Sequence, residues 1–212
     1  MSSVEVDRSA SASRQLGRRG LLGFGAALLT IGWGGTALLL RSSSVAPFDP
    51  IVTAVGGWLA VFALIAGIAV GLCPRWVWYN RVVATWVGLN AAAFGYTAAA
   101  AAGLLPADLV QYAFWHVWVL AAVVGFAVTG AVLEGEDTAG QLYFTAAGLE
   151  LSLLFLGLGA FGTLVPGLYL LLAFVHPTPL ALDALPGDLS PGRTAAVQLG
   201  VYALGLGVVF LL

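Results

Sequence analysis

The sequence predicts an all-α polytopic integral membrane protein, with one transmembrane helical bundle over residues 20–212. Three observations carry this prediction. Hydrophobic residues make up 60% of the 212 positions and charged residues only 8%, against about 25% charged in an ordinary soluble domain. So little polar surface cannot cover a water-soluble core, so the bilayer must be the solvent. Apolar runs of about 20 residues, enough to cross a bilayer, also recur along the chain.

Six runs are long enough to be membrane spans. They cover residues of about 20–40, 51–72, 78–104, 109–133, 140–163 and 194–212. The fifth run is ambiguous, because apolar sequence continues to Val175 beyond a stretch rich in glycine that contains a proline. We expect one long, kinked helix there and therefore six spans. The alternative is seven spans, if residues 140–176 cross the membrane twice.

The segment before the first run is polar. Residues 1–19 are rich in serine and arginine and lack an apolar period, which predicts a disordered cytoplasmic tail. Arg18 and Arg19 precede the apolar run as in a twin-arginine export signal, and residues 44–46 resemble a cleavage site. The run itself exceeds the roughly 7 to 15 apolar residues of a signal peptide. We therefore expect it to be retained as the first membrane helix.

The arginines predict that the N-terminus lies inside a cell membrane that the chain crosses several times. With six spans, six arginines lie on the inner side, namely Arg8, Arg14, Arg18, Arg19, Arg75 and Arg81. Only Arg41 and Arg193 then lie outside, as the positive-inside rule prefers. The proline-rich residues 176–193 become an external loop, the only one long enough to hold a partner site.

Composition also narrows the partners. A net charge of -2 offers no basic surface, so no nucleic acid is expected and the main partner is the lipid bilayer. One cysteine, Cys73, cannot form an intrachain disulfide or a cysteine-rich metal site, so no metal is assigned. The sequence contains no P-loop, G-x-S-x-G or H-E-x-x-H motif, which leaves enzymatic activity undecided and the cofactor unknown.

Small residues and tryptophans suggest how the spans pack. Gly67 and Gly71 in the second run, and Gly95, Ala99 and Gly103 in the third, form faces that allow close helix approach. We expect these faces to pack within the bundle, with a homo-oligomer or a membrane-complex partner as the alternative. The seven tryptophans fall mostly near predicted span ends, where the headgroup region favours indole rings.

Polar side chains at membrane depth mark the candidate site. Glu150 is the only acid within a predicted span, and an ionised side chain there costs about 2.5 kcal/mol on insertion scales. Counted from the predicted helix ends, Glu150 lies about 15 Å from the inner side and His116 about 10 Å from the outer side. These depths nearly coincide in a core of about 30 Å, and Asn90 lies close to the same level. We therefore predict that Glu150, His116 and Asn90 form a proton- or ligand-binding site.

The leading hypothesis is a small proton-coupled transporter or channel-like protein. Glu150 would titrate, His116 would be its partner and Asn90 a neutral ligand. A purely structural interpretation is a neutral glutamic acid bonded to histidine, at about 0.6 kcal/mol per interhelical bond. Two further alternatives are a redox-complex subunit that holds quinone or haem, and a membrane enzyme or accessory protein that acts on lipids. Bis-histidine haem would need His176, which the sequence places at the far external end of the fifth run.

Overall fold

All regular structure in the described residues is helical. The structure is a computed structural model that describes residues 3–41, 50–72, 80–134, 137–164, 167–186 and 190–211. Five helices are long and apolar enough to cross a membrane, and the shorter apolar helices Val52–Gly67 and His116–Val132 accompany them. The predicted all-α polytopic bundle is therefore confirmed.

The helices follow the predicted runs with three differences. Within the described ranges they are α1 Ser3–Arg41, α2 Pro50–Leu72, α3 Arg81–Ala101, α4 Ala107–Val110, α5 His116–Val132, α6 Asp137–Leu164, α7 Gly167–Val175, α8 Thr178–Ala184 and α9 Pro191–Leu211. The first difference is that residues 3–19, expected as a disordered tail, belong to α1. Adding a residue to an existing helix costs little compared with starting one, so a polar segment can extend a membrane helix.

The second difference is that the fourth predicted span is not one helix. The short α4 is followed by turns, and α5 begins only at His116. The break frees backbone carbonyls, which need protein partners inside a membrane bundle. The Tyr169 hydroxyl donates to the Phe114 carbonyl at 2.7 Å, and the Thr97 hydroxyl donates to the Ala113 carbonyl at 2.5 Å. The Phe114 carbonyl thus has a hydroxyl partner on α7, and the Ala113 carbonyl has one on α3.

The third difference is a reversal between α6 and α7. Glu150 and His176 are 26 positions apart and meet at 3.1 Å, whereas a continuous helix would separate them by about 39 Å. α6 ends at Leu164, two residues before Pro166, a residue that cannot continue a helix. The expectation of one long, kinked helix is therefore wrong. The alternative, in which this region passes twice, is the arrangement of the structure.

Six helices form a closed ring around the interior. α1, α2, α3, α5, α6 and α7 each contact the next in this order, and α7 contacts α1. α8 packs against α1, α6 and α7, and α9 packs outside the ring against α6 and α7. Contacts such as Gly34 with Ala173 and Gly25 with Leu180 show that α1 runs antiparallel to α7 and α8. Consecutive passes alternate in direction, so the described helices pass through the bundle seven times.

Seven passes change the predicted position of Arg193. The segment 176–193, expected as an external loop, contains α8 and the start of α9. If the N-terminus lies inside, Arg193 joins the six arginines already assigned to the inner side, which makes seven against the single Arg41 outside. Seven passes therefore strengthen the prediction that the N-terminus is inside. Arg75 and residues 44–46 lie outside the described residues.

The glycines at close helix contacts are not those expected. A Cβ added to Gly67 or Gly95 would meet nothing within 4 Å, so these positions do not pack on another helix within the described chain. A Cβ at Gly32, Gly125 or Gly157 would instead collide with a tryptophan ring. Small-residue spacing alone cannot separate a helix face that meets lipid from one that meets protein.

Candidate functional site

Glu150 is paired with His176 at the centre of the bundle. Its side chain is completely buried on α6, and its Oε1 lies 3.1 Å from Nδ1 of His176, which directly follows α7. Among the described residues, no hydrogen bond reaches Oε2. The structure thus gives Glu150 a histidine partner, but a different histidine from the predicted one.

His176 lies among aromatic rings from three other helices. The centroid of its ring is 5.2 Å from that of Phe126 on α5, 6.1 Å from that of Trp86 on α3 and 6.5 Å from that of Trp33 on α1. These rings shield most of the imidazole from water. His176 therefore lies in mainly aromatic surroundings.

The Glu150–His176 pair can exchange a single proton. With Glu150 protonated and His176 neutral, the carboxyl O–H donates to Nδ1; with the proton transferred, the imidazolium N–H donates to the carboxylate. Both arrangements carry no net charge, which a membrane interior favours. Removal of one proton leaves the neutral imidazole N–H donating to a carboxylate. The two groups can therefore stay hydrogen-bonded in all three states, with the donor changing from the carboxyl to the imidazole.

The structure does not bring His116 to Glu150. His116 begins α5 and packs edge-on against Tyr112, with ring centroids 5.2 Å apart. The adjacent Trp115 lies against Gly157, which is seven residues beyond Glu150 and thus about 10 Å farther along α6. The depth count failed because it started the fourth span several residues too early, before the turns that precede α5.

Asn90 does approach the new partner. It lines a small void of about 10 Å³ together with His176, Trp33, Trp86 and several apolar side chains. Its Nδ2 donates to the Trp86 carbonyl at 2.8 Å. The void is roughly large enough for one water molecule, with the amide and the imidazole as its polar neighbours. Two of the three predicted site residues, Glu150 and Asn90, therefore flank His176.

Besides His176, the sequence interpretation missed two polar residues held by the bundle, the half-buried Asp183 and the buried Gln198. His176 and Asp183 were assigned to an external loop, yet Asp183 accepts a hydrogen bond of 2.8 Å from the Tyr143 hydroxyl. Gln198 is 2% exposed and its Nε2 donates to the Leu142 carbonyl at 3.2 Å. Recognising the hairpin of α6 and α7 would have placed His176 and Asp183 inside the bundle.

Four tryptophans lie in the interior of the bundle, although the sequence predicts most tryptophans near the headgroups. Trp33, Trp58, Trp115 and Trp118 are each no more than 7% exposed. Trp33 is the centre of this cluster, with ring centroids 4.7 Å from Trp58, 5.7 Å from Trp118 and 6.0 Å from Tyr169. These four therefore face protein rather than lipid, whereas their level relative to the headgroups stays a prediction, and Trp76 and Trp78 lie outside the described residues.

Three tryptophans share an arrangement that we call the indole cradle. In each, the indole N–H donates to a threonine hydroxyl on a neighbouring helix: Trp58 to Thr36 at 3.1 Å, Trp86 to Thr129 at 3.0 Å and Trp118 to Thr97 at 2.9 Å. Thr36 and Thr129 each donate in turn to the glycine carbonyl four residues earlier, whereas the single hydroxyl hydrogen of Thr97 lies within bonding distance of two carbonyls, those of Ala93 and Ala113. A small residue followed four positions later by threonine is a sequence signal that could have located these sites.

The tryptophans enclose a second, larger space, which we call the aromatic cavity. Its volume is about 170 Å³, and it lies between α1, α2, α3 and α7 and the segment from Phe114 to Trp118. It is lined by Trp33, Thr36, Leu40, Ala54, Val55, Trp58, Phe94, Thr97, Phe114, Trp118 and Tyr169. No side chain in this lining carries a charge, so the aromatic cavity suits a neutral, mostly apolar molecule.

Metal ligands and relatives provide no further assignment. Among the described residues, no group of three or more His, Cys, Asp or Glu side chains could hold a metal ion. Comparison with models of protein families gives no match, and comparison with curated proteins and with solved structures gives none either. Function must therefore be inferred from the geometry of the pair and of the cavity.

Proposed function

We propose that this membrane protein is a small proton-coupled transporter in which the Glu150–His176 pair is the proton site. The observation that carries the proposal is the complete burial of Glu150, with one carboxylate oxygen on His176 and the other without a hydrogen bond among the described residues. An ionisable side chain inside a membrane bundle is a functional candidate by default. His116 drops out of this site, and His176 takes its role.

Free energies favour a functional role for this pair over a purely structural one. Interhelical hydrogen bonds in membranes average about 0.6 kcal/mol, whereas an ionised side chain at the helix centre costs about 2.5 kcal/mol or more. Two apolar side chains of similar volume would hold α6 and α7 together without that cost. Retaining an acid and an imidazole at this depth is easier to explain if the proton between them is used.

Asn90 supplies a polar neighbour through which a proton could reach the pair. The void that it shares with His176 has room for about one water molecule. A water held there would contact both the amide and the imidazole. It could pass a proton between the imidazole and the interior of the bundle. In this proposal Asn90 orients the water and does not itself titrate.

The test compares Glu150→Gln with Glu134→Gln. Glu134 is an exposed acid just after α5, so its variant is a matched control for the loss of one carboxyl group. In vesicles with an entrapped pH-sensitive dye and an imposed proton gradient, we expect proton movement in the wild type and in Glu134→Gln and none in Glu150→Gln. The amide keeps the shape of the side chain but cannot release a proton.

Infrared difference spectra after a pH change give a second readout that does not depend on transport. A carboxyl C=O band from a buried acid should appear in the wild type and in Glu134→Gln and vanish in Glu150→Gln. Unchanged proton movement together with an unchanged carboxyl band in Glu150→Gln would refute the proposal. A lost band with unchanged proton movement would show a titrating acid that transport does not use, which contradicts it as well.

A further inference from the structure

The polar groups around the aromatic cavity are nearly all engaged by the protein. Trp58 and Trp118 donate to Thr36 and Thr97 in their indole cradles. The Tyr169 hydroxyl donates to the Phe114 carbonyl at 2.7 Å. These groups shape the wall of the cavity, but their donors are already used.

Trp33 is the exception. It lines the aromatic cavity and also the small void beside His176. Its side chain is 3% exposed, and its Nε1–H is buried with no hydrogen-bond partner among the described residues. An indole N–H can only donate, and a buried donor without a partner costs about 1 to 3 kcal/mol. A ligand that accepts a hydrogen bond would remove that cost once the indole turns far enough for its N–H to face the aromatic cavity, because Nε1 itself is buried in the structure.

The size of the aromatic cavity defines the rest of the ligand. About 170 Å³ is close to the roughly 150 Å³ of an engineered apolar cavity that holds benzene. One aromatic or quinone-like ring therefore fits within the cavity, which is partly open. The absence of charge from the lining excludes an ionised ligand, because a buried charge without a partner is unstable.

We propose that the aromatic cavity binds a neutral molecule of one ring that carries a carbonyl, with Trp33 Nε1–H as the hydrogen-bond donor. The ring packs against the indoles of Trp58 and Trp118. The carbonyl is either on a free aromatic solute or on the ring of a lipid-tailed molecule. This proposal concerns a second site and does not rest on proton transfer by Glu150.

The test uses two probes of almost equal shape. Acetophenone has a ring and a carbonyl, and ethylbenzene has the ring without an acceptor. Vesicles with and without the full chain, made from the same lipid, are brought to equilibrium by dialysis. Any excess of probe on the protein side is then bound by protein, because partition into lipid is equal on both sides.

Ala54→Phe and Ala60→Phe form the matched pair of variants. Ala54 lines the cavity, whereas Ala60 is an exposed position on the same helix. We expect about one bound probe per chain in the wild type and in Ala60→Phe, and none in Ala54→Phe, whose added ring fills the cavity. No excess in the wild type, or an equal excess in Ala54→Phe, would overturn the cavity as the binding site.

Trp33→Phe tests the donor without depending on the fold of Ala54→Phe. The phenyl ring keeps aromatic packing but lacks the N–H. We expect acetophenone affinity to fall about fivefold more than ethylbenzene affinity, the effect of one ordinary hydrogen bond, because both probes meet the same change in ring size. An equal change for both probes would overturn Trp33 as the donor.

A third probe, acetophenone with an octyl chain opposite the carbonyl, separates the two sources of the ligand. Binding as tight as that of acetophenone supports a lipid-tailed ligand whose chain leaves the cavity. Loss of binding supports a free aromatic solute. Both results agree with a ring-and-carbonyl site, which the comparison of acetophenone with ethylbenzene has already tested.

Discussion

The Glu150–His176 pair and the aromatic cavity differ in how much empty space their polar and aromatic groups leave in the bundle. At the pair, two polar groups from α6 and the end of α7 meet across helices and leave a void of only about 10 Å³ nearby. At the aromatic cavity, the indoles of Trp58 and Trp118 bond to threonines in their cradles and leave about 170 Å³ open. The region around the pair is thus nearly filled, whereas the aromatic side chains around the cavity leave space for a ligand.

Trp33 belongs to both regions. Its ring lies 6.5 Å from that of His176 and 4.7 Å from that of Trp58, measured between centroids. Whatever displaces this indole changes the surroundings of the pair and the shape of the cavity together. If the cavity and the pair act as proposed, a ligand in the cavity can influence the proton on the pair through this one side chain, as coupled transport would need.

The largest expected effect concerns the topology that makes the pair exist. Reporters placed after residue 134 and after residue 186 should give the same side of the membrane, because α6 and α7 form a hairpin. Cysteine accessibility or enzyme fusions can measure this. Signals on opposite sides would mean a single crossing between these points, and Glu150 could then not meet His176.

The next effect compares the two histidines. His176→Leu removes the partner of a buried acid and should lower the free energy of unfolding by about 3 kcal/mol. His116→Leu should lower it by less than about 1 kcal/mol, because His116 lies at the start of α5 beside Tyr112. Thermal unfolding in detergent can measure both changes.

A double-mutant cycle makes the same comparison more specific. Glu150→Leu combined with His176→Leu should show a coupling energy of about 0.6 kcal/mol or more, and Glu150→Leu with His116→Leu should show none. The reverse pattern would restore the pairing predicted from helix depth and remove His176 from the site.

The smallest effect concerns the aromatic region alone. In Gly32→Ala the added Cβ would lie 2.6 Å from the Trp58 ring, so the ring must move toward the cavity. We expect a loss of about 1 to 2 kcal/mol of stability and weaker binding of both ring probes, with the infrared band of Glu150 retained. Gly35→Ala, whose Cβ would meet nothing within 4 Å, is the control and should change neither property.

The sequence predicted the membrane bundle and its central acid but not the pairing. Hydropathy found six of the seven passes, because lipid requires continuous apolar helices, but it merged the pass of α7 and α8 with that of α6. It also singled out Glu150 as costly at that depth. It could not separate apolar residues that face lipid from those that face protein, so the turns before His116 and the hairpin after Leu164 were read as continuous helix. Those two errors raised His116 to the wrong level and left His176 outside.

The tryptophans show a related limit of sequence interpretation. A tryptophan near a span end is typical of the headgroup region, and span ends were misplaced wherever the chain turns inside the bundle. Trp115 and Trp118 were affected directly, because they follow the turns before α5. The threonines at cradle spacing carry information that composition does not, since each fixes the indole of one tryptophan on another helix.

The contact of α1 with α7 and α8 also constrains how the protein folds during synthesis. α1 packs along α7 and α8, with Gly34 against Ala173 and Gly25 against Leu180, yet more than a hundred residues separate these partners in sequence. At about 5 to 20 residues per second, α1 emerges from the ribosome many seconds before the helices that complete its burial. During that interval Trp33 can pack on Trp58 of α2 and Trp118 of α5, but not on Tyr169 or His176. A nascent chain arrested before α7 should therefore remain loosely assembled, and the two functional regions should appear together only when synthesis has passed His176.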